Sequence, residues 1–295
     1  MRINTNVSSL VAQEANKNTS NNISSSLEKL STGHRINKAS DDASGLAIAD
    51  KLRTQANGLN QAVANGNSAV TLTQIADKAM AEQSNILDVI KQKLIQAGTA
   101  TTSAEGIEAI GKDIQKLLDQ VDNIAKQTSY NGTSLLQVSA GSTAAGVALT
   151  FQMGTTKDDT IKTEAGVQAN TSGLNGLNTV RLGTSAAAWV ADESVNSAAG
   201  MQVSARNMLA NVDSALTELN GWRADFGSTQ NQLESSVRNL MTQVTNTKAA
   251  ESVIRDVDYA QESANFNKQN IISQAGTYAI SQANSTSQNV MRLLQ

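Results

Sequence analysis

The sequence predicts a mainly α fold: a long antiparallel, coiled-coil-like helical rod formed by N- and C-terminal segments, with a small β-hairpin and loop-rich central region. Three observations support this prediction. The 295 residues contain no proline, although average usage would give roughly 15, and proline is strongly disfavoured inside helices. Two segments far apart in the sequence carry apolar residues at heptad spacing. Both ends of the chain carry a thin apolar stripe at helical spacing.

The N-terminal part of the chain divides into helical blocks separated by short polar connections. Residues 1–32 form the first block, and we expect Gly33 to be its C-terminal cap. The connection up to Ser44 contains residues that suit a helix start, through side-chain capping and negative charge: Ser40, Asp41 and Asp42. A long helical stretch then runs to about Gln96, and the polar stretch 98–103 separates it from the next helix.

Heptad-spaced apolar residues occur in two segments on opposite sides of the middle of the chain. Steps of three and four residues place such side chains on one helix face. The first seam consists of Ile107, Ile110, Ile114, Leu117, Val121 and Ile124. The second seam consists of Leu209, Val212, Leu216, Leu219, Phe226, Leu233, Val237, Leu240 and Val244. We therefore expect helices from the two halves of the chain to pack side by side.

The region between the seams, 129–195, lacks heptads. Asn131-Gly132 is a signal for a two-residue hairpin turn, and 147–153 alternates like a strand. The remainder is rich in Gly, Thr, Ser and Ala, so we expect a small, surface-exposed region of strands and loops. These changes in pattern divide the chain into five segments: 1–44, 45–138, 139–195, 196–252 and 253–295.

Composition excludes several classes of function. A net charge of -3 and a pI near 5.3 give no electrostatic footprint for nucleic acid or for an anionic membrane surface. The sequence has no apolar run long enough to span a bilayer, and its start lacks the apolar core of a cleavable secretory signal. With no cysteine and a single histidine, His34, there is little from which to build a zinc site or a catalytic triad. We therefore expect no enzyme activity, cofactor or metal, and we interpret His34 as a polar turn residue.

Both ends of the chain are low in charge and rich in Asn, Ser, Gln and Ala. The N-terminal apolar stripe comprises Ile3, Val7, Leu10, Ile23, Leu27 and Leu30. The C-terminal stripe comprises Ile271, Ala275, Tyr278, Val290, Met291, Leu293 and Leu294. Such thin stripes, among many poor helix formers, do not stabilise an isolated helix. The ends therefore need partners, either other molecules or, as the alternative, each other in an intramolecular helical hairpin.

Two long motifs at opposite ends of the chain resemble those of bacterial flagellins. Residues 30–49, LSTGHRINKASDDASGLAIA, follow the family pattern L-S-[ST]-G-x-R-I-N-x-A-x-D-D-A-[AS]-G-x-A-I-A. The C-terminal agreement consists of IRDVDYA at 254–260, QAGT at 274–277, QAN at 282–284 and QNV at 288–290. QTSYNG at 127–132 resembles the family's Q-T-x-[FY]-N-G element, and FQMG at 151–154 resembles the edge of its β-hairpin. The resemblance covers about 1–165 and 195–295.

The resemblance implies a role for each of the five segments. Segments 1–44 and 253–295 would pair in the inner tube of a filament, 45–138 and 196–252 would form the outer tube, and 139–195 would face solvent. We then expect the chain to be exported unfolded and to polymerise outside the cell, with its ends becoming ordered on assembly. The implied partners are further copies of the chain, the flagellar export apparatus, an export chaperone that binds the C-terminus, the filament cap and hook-associated proteins.

Charged residues beside the terminal helices have two interpretations. Arg35, Asp41 and Asp42 either act locally in caps and turns or form ion pairs between subunits, as the resemblance implies. Asp256 and Asp258, which precede the last helix, carry the same two alternatives.

One stretch departs from flagellins that activate the flagellin-sensing Toll-like receptor, which read Q-R-V-R-E-L-A-V. The aligned residues in this chain are Asp88, Val89, Ile90, Lys91, Gln92, Lys93, Leu94 and Ile95. Val89 and Lys91 replace the two arginines, and an ammonium group does not reproduce the forked hydrogen bonding of a guanidinium. Gln92 and Lys93 replace Glu and Leu, and Asp113 replaces a Glu further along. The resemblance therefore implies weak or absent receptor activation, as in the receptor-evading subgroup of flagellins.

Two other classes of protein stay open at this point. A hook–filament junction protein shares the terminal helices that the resemblance implies, and a secreted coiled-coil adhesin would account for the heptads. The DDASG and DVDYA motifs and the short middle region favour the filament subunit.

Overall fold

The computed structural model describes residues 6–137, 148–163, 167–184 and 198–293, and most of these residues are helical. The helices are α1 (Val7–Thr32), α2 (Ala43–Ala97), α3 (Ala104–Gln127), α4 (Leu177–Gly183), α5 (Ala198–Arg255) and α6 (Tyr259–Leu293). The strands are β1 (Ser129–Tyr130), β2 (Thr133–Ser134), β3 (Thr150–Gln152) and β4 (Thr160–Lys162). Long helices with small antiparallel strand pairs confirm the predicted fold class. No helix in the described ranges is long and apolar enough to cross a membrane.

The chain folds as two compact units. One contains residues 1–57 and 243–295, and the other contains residues 58–242. These boundaries differ from the five segments drawn from the sequence, because α2 and α5 each contribute residues to both units.

In the first unit, α1 and α6 pack against each other as antiparallel helices. The Asn6 side chain donates a hydrogen bond to the Ala283 carbonyl at 3.1 Å, and Ser26 donates one to Glu262. The two contacts lie at opposite ends of α1 and in reversed order along α6, which sets the antiparallel direction. At the C-terminal end of α1, Gly33 adopts a left-handed conformation (φ 75°) and donates its N–H to the Lys29 carbonyl. The predicted helix cap is therefore confirmed.

In the second unit, α2, α3 and α5 surround one apolar core. Fully buried side chains come from all three helices: Leu87, Ile90 and Leu94 of α2, Ile107, Ile114 and Leu118 of α3, and Val212, Leu219 and Phe226 of α5. Arg223 of α5 contacts Asp77 at 3.1 Å, and Arg206 donates to the Gly98 carbonyl at 2.8 Å. Asp77 precedes Gly98 in the sequence, whereas their partners Arg223 and Arg206 follow the reverse order. The two helices are therefore antiparallel. The heptad seams therefore predicted the helix faces that form this core.

Two short hairpins accompany the helices of the second unit. β1 and β2 pair antiparallel across Asn131 (φ 50°) and Gly132 (φ 80°), which is the two-residue turn that the Asn-Gly signal predicts. β3 pairs antiparallel with β4, with Phe151 opposite Ile161. This hairpin lies close to α2 and α5, because a side chain at Gly66 would come within 2.5 Å of Val237 and 2.7 Å of Met153.

Residues 167–180 differ from the expected exposed loop. Their sparse apolar side chains are buried in the core: Val167, Ala169, Leu174, Leu177 and Val180. The buried Gln83 side chain donates to the Ala169 carbonyl at 2.6 Å and to the Val121 carbonyl at 3.0 Å. Asp122 accepts hydrogen bonds from the Thr171 N–H at 2.8 Å and from Arg181 at 2.8 Å. The segment is thus anchored by long-range polar contacts that leave no periodic signal in the sequence.

Replacing Gln83 tests this anchor. The Gln83→Met variant keeps the side-chain volume but leaves the Ala169 carbonyl without its donor. It also removes the buried Gln83 Oε1, which has no hydrogen-bond partner, so we expect a net cost at the lower end of the usual range, about 1 kcal/mol of unfolding free energy. The measurement is urea unfolding followed by circular dichroism. Gln92→Met, at an exposed position of the same helix, is the matched control and should change the midpoint little. Equal midpoints for the two variants would show that the anchor contributes nothing to stability.

Candidate assembly surface

The pair of helices α1 and α6 buries polar side chains and leaves apolar ones exposed. The buried residues of α1 are Ser9, Thr19 and Ser26. By contrast, Leu27 of α1 is 55% exposed, and Ile271 and Tyr278 of α6 are 66% and 74% exposed. A helix that packs only within its own monomer normally turns its apolar stripe inward. The exposed side chains therefore form a surface suited to a further partner.

Small and polar residues explain how the two helices approach each other. A side chain at Gly276 of α6 would lie 3.3 Å from the Asn16 side-chain oxygen of α1. Ser273 donates a hydrogen bond to the same Asn16 oxygen at 3.4 Å. The half-buried Ile23 and Phe266 add a limited apolar contribution. The pair is thus held by a few hydrogen bonds, each of which contributes only about 0.5–1.5 kcal/mol net, and by apolar side chains that are only partly buried.

We call the exposed apolar residues of this helix pair the terminal surface. Its members are Val7, Leu10, Val11 and Leu27 of α1, with Ile271, Ile272 and Tyr278 of α6. Five of the seven were predicted from the sequence. Val11 and Ile272 were not, although each follows a stripe residue directly and so widens the apolar face. Two further exposed apolar residues near the start of α6, Val253 (82% exposed) and Tyr259, were also missed.

The remaining stripe residues lie in different environments. Ala275 is exposed, whereas Ile23 and Leu30 are half-buried in the pair. Residues or side chains outside the described part of the structure are Ile3, Val290, Met291, Leu293 and Leu294. The alternative of an intramolecular hairpin is therefore realised in the backbone of the chain, but the described apolar stripes do not supply its main contacts.

The charged residues of the connection after α1 make local contacts. Arg35 donates to the Ile254 carbonyl at 2.6 Å. Asp42 caps α2 by accepting the Gly45 N–H at 2.9 Å. The backbone N–H groups of Lys38 and Asn37 donate to Asp41 and hold the pKa of its carboxyl below the usual range. These cap and turn roles are present within one chain, while ion pairs between subunits stay a prediction.

Asp258 and Asp256 also act within the chain. Asp258 caps α6 by accepting the backbone N–H of Ala260 at 2.9 Å. Asp256 accepts a hydrogen bond from the Ser252 hydroxyl at 2.6 Å and lies beside His34. In the described residues, no group of three or more acidic or histidine side chains is placed to hold a metal ion.

The stretch 88–95 on α2 contributes to both the core and the surface. Ile90 and Leu94 are fully buried. Lys91 forms an ion pair with Asp213 of α5, and Lys93 forms one with Asp113 of α3. The exposed side chains are Asp88, Val89, Gln92 and Ile95. Both lysines are therefore engaged with neighbouring helices of the same unit, which the sequence did not reveal.

Long helices, an apolar core with short hairpins and an outward-facing terminal surface define a helical structural protein. Residues 3–141 match the bacterial flagellin N-terminal helical region, and residues 209–294 match the bacterial flagellin C-terminal helical region. Flagellin FlaB1 of Treponema pallidum is 33% identical over 299 residues, and the flagellin of Bacillus subtilis is 37% identical over 310 residues. Each of these alignments covers 100% of this chain and 100% of the relative. The chain therefore belongs to the bacterial flagellin family.

The fold agrees with this assignment. The structure of a putative flagellar hook-associated protein from Vibrio parahaemolyticus superposes with a TM-score of 0.59 at 12% identity, covering 73% of this chain and 99% of that one. At this identity the likeness establishes a shared fold alone. Flagellins are structural rather than enzymatic proteins, and they form the extracellular flagellar filament.

The pH dependence of the connection after α1 provides a test of its local hydrogen bonds. Because the folded pKa of Asp41 is depressed below its ordinary value of 3.8, its contribution is present above that value and is lost as the pH falls through the depressed pKa. In NMR titrations of the unpolymerised chain, the amide resonances of Asn37 and Lys38 should shift with a midpoint below 3.8. The Asp41→Asn variant should lose this transition. A midpoint at or above the ordinary value would contradict the hydrogen bonds described.

Proposed function

We propose that this chain polymerises head-to-tail into the bacterial flagellar filament, after export in an unfolded state and assembly at the filament tip, and that it serves swimming motility. The observation that carries the proposal is the terminal surface, on which large apolar side chains point away from the helix pair that bears them. Membership of the flagellin family supports the same reading.

We propose that copies of the chain contact one another head-to-tail through this surface. A heterologous contact that does not close on itself generates an open helical filament. Burying one large apolar side chain contributes about 1.5–3 kcal/mol, so several such residues meeting neighbouring copies outweigh the few hydrogen bonds of the α1–α6 pair. We therefore infer that the helix pair becomes fully stable only in the filament.

The low stability that we infer for the α1–α6 pair in the monomer also suits export in an unfolded state. Helices that are poorly stabilised in the monomer offset their ordering entropy only when partners are present. The chain has no cysteine and hence no disulfide that would resist unfolding. An exposed apolar face on α6 also fits a groove on an export chaperone. The other partners we propose are the export apparatus, the filament cap and hook-associated proteins.

We also retain the five-segment division as a proposal about the assembled state. Segments 1–44 and 253–295 would line the inner tube, 45–138 and 196–252 the outer tube, and 139–195 the outer surface, except for residues 167–180, whose apolar side chains are buried in the core of the second unit. The terminal surface lies entirely in the first pair of segments, which supports their placement at the most enclosed position of the filament.

Charged substitutions on the terminal surface test polymerisation. Ile271→Glu and Tyr278→Glu should each raise the critical concentration for filament formation at least tenfold, because each removes an apolar contact and places a charge in it. Electron microscopy and sedimentation measure the filaments, and circular dichroism checks the monomer. Thr277→Glu is the matched control, since it adds the same charge at an exposed polar position of α6 that lies about 100° round the helix from Tyr278. It should polymerise nearly normally.

Two outcomes would contradict the proposal. Filaments at unchanged critical concentration from both charged variants would remove the role of the terminal surface. Filaments formed by a chain that lacks 1–32 would remove the role of α1 altogether.

We further propose that the chain activates the flagellin-sensing Toll-like receptor weakly or not at all. The residues available to a receptor in the stretch 88–95 are Asp88, Val89, Gln92 and Ile95, none of them cationic. Lys91 and Lys93 are held in ion pairs with neighbouring helices. The surface therefore lacks the arginines and the glutamate found in activating flagellins.

Restoring the exposed residues tests this second proposal. The double variant Val89→Arg, Gln92→Glu should raise the response of receptor-bearing reporter cells severalfold over the parent chain, because it returns a forked donor and a carboxylate to the surface. Val203→Arg adds an arginine at another exposed apolar position and should leave the response unchanged. If the unsubstituted chain stimulated the reporter cells as strongly as an activating flagellin does, the proposal would be contradicted.

A further inference from the structure

The sequence contains five Asn-Gly pairs, at 57–58, 65–66, 131–132, 175–176 and 220–221. In such a pair the backbone nitrogen of the glycine can attack the side-chain amide of the asparagine, because glycine has no side chain to hinder the approach. The attack requires a change in the backbone torsion angles between the two residues. The surrounding structure therefore decides which of the five pairs can react.

Three of the pairs lie inside long helices, where the backbone prevents the attack. The pairs at 57–58 and 65–66 belong to α2, and Asn220-Gly221 belongs to α5. Inside a helix the torsion angles are fixed, and each backbone N–H donates to the carbonyl four residues earlier. Asn220 and Gly221 are both exposed. This pair is therefore accessible to water but is constrained by its helical backbone.

The fourth pair, Asn175-Gly176, lies in a turn that is packed against the core. A side chain at Gly176 (φ 84°) would come within 2.8 Å of a side-chain atom of α5. Leu174 and Leu177, on either side of the pair, are buried. The Asn175 N–H donates a hydrogen bond to Glu218 at 2.9 Å. These contacts hold the backbone of the turn in place.

The turn between β1 and β2 has neither of these constraints. Asn131 (φ 50°) and Gly132 (φ 80°) are both exposed. A side chain at Gly132 would meet no atom of the described residues within 4 Å. The flanking strands are two residues long, with Tyr130 opposite Thr133 next to the turn. Opening the turn breaks few hydrogen bonds, and such peripheral segments open at a low free energy.

We propose that Asn131 is a site of spontaneous deamidation. The Gly132 nitrogen forms a bond to Asn131 Cγ, the Cγ–Nδ2 bond breaks, and Nδ2 leaves as ammonia with the proton from the Gly132 N–H. Water then opens the resulting cyclic imide at either of its carbonyl groups. The products are aspartate and isoaspartate, the second of which carries the main chain through Cγ. This inference is independent of the proposed polymerisation.

The two products have different effects on the hairpin. Asp-Gly suits the same two-residue turn as Asn-Gly, so aspartate keeps the hairpin and adds one negative charge to its turn. Isoaspartate adds a carbon atom to the main chain of the turn. Since the length of the turn sets the register of a hairpin, this product disrupts the pairing of Tyr130 with Thr133.

Peptide mapping by mass spectrometry of the full-length, unpolymerised chain tests the proposal. The chain is aged in mildly alkaline buffer, once folded and once unfolded in urea, and the conversion of amide to acid is measured at each pair. In the folded chain, Asn131 should convert at least about tenfold faster than the matched control Asn220, because short turns open far more often than helix interiors. In urea the two rates should be similar. Equal rates in the folded chain would overturn the proposal, as would the same difference in urea.

A variant and the identity of the products assign the chemistry. Asn131→Gln keeps a side-chain amide but cannot form the same cyclic imide, so conversion at this position should fall to the rate of Asn220 in the folded chain. If the substitution opens the turn, the products of the unsubstituted chain decide. The imide yields both aspartate and isoaspartate, whereas direct hydrolysis of the amide yields aspartate alone. Aspartate without isoaspartate at position 131 would refute the attack by Gly132.

Discussion

The structure depends on an inversion of ordinary helix packing between α1 and α6. Ser9, Thr19 and Ser26 occupy the buried positions, while residues such as Leu27 and Tyr278 remain exposed. Such an arrangement is costly for a monomer, because apolar area stays in water and hydrogen bonds contribute little net stability. In the proposed filament this cost would be offset, because a neighbouring copy would bury the apolar side chains that the helices expose. The low stability that we infer for the terminal helix pair in the monomer thus fits the proposed filament.

The second unit has the opposite character. Its core is built from apolar side chains of three long helices and of residues 167–180, and the Gln83 side chain enters it with its N–H groups bonded to two backbone carbonyls. A compact unit with its own apolar core is able in principle to fold without partners. The chain thus combines a unit that has its own apolar core with a terminal helix pair that would gain stability from the proposed assembly.

Local patterns in the sequence predicted much of the fold. The heptads found the core faces of α3 and α5, Gly33 ended α1 and Asn131-Gly132 formed the hairpin turn, since each depends on residues close in sequence. The orientation of the terminal stripes was not predictable, because periodicity shows that residues share a face but not whether that face is buried. The ion pair of Lys91 with Asp213, like the burial of 167–180, joins distant parts of the chain and leaves no periodic trace.

The polar interior of the α1–α6 pair also has a thermal consequence. Separating these helices exposes hydroxyl, amide and glycine surface around residues such as Asn16 and Gly276, together with the half-buried side chains of Ile23 and Phe266. Polar exposure does not produce the large positive heat-capacity change that apolar exposure does. We therefore expect cooling to weaken the pair within one chain less than it weakens contacts that rest mainly on apolar burial. The contact between α1 and α6 and the proposed contact between chains should therefore respond differently to temperature.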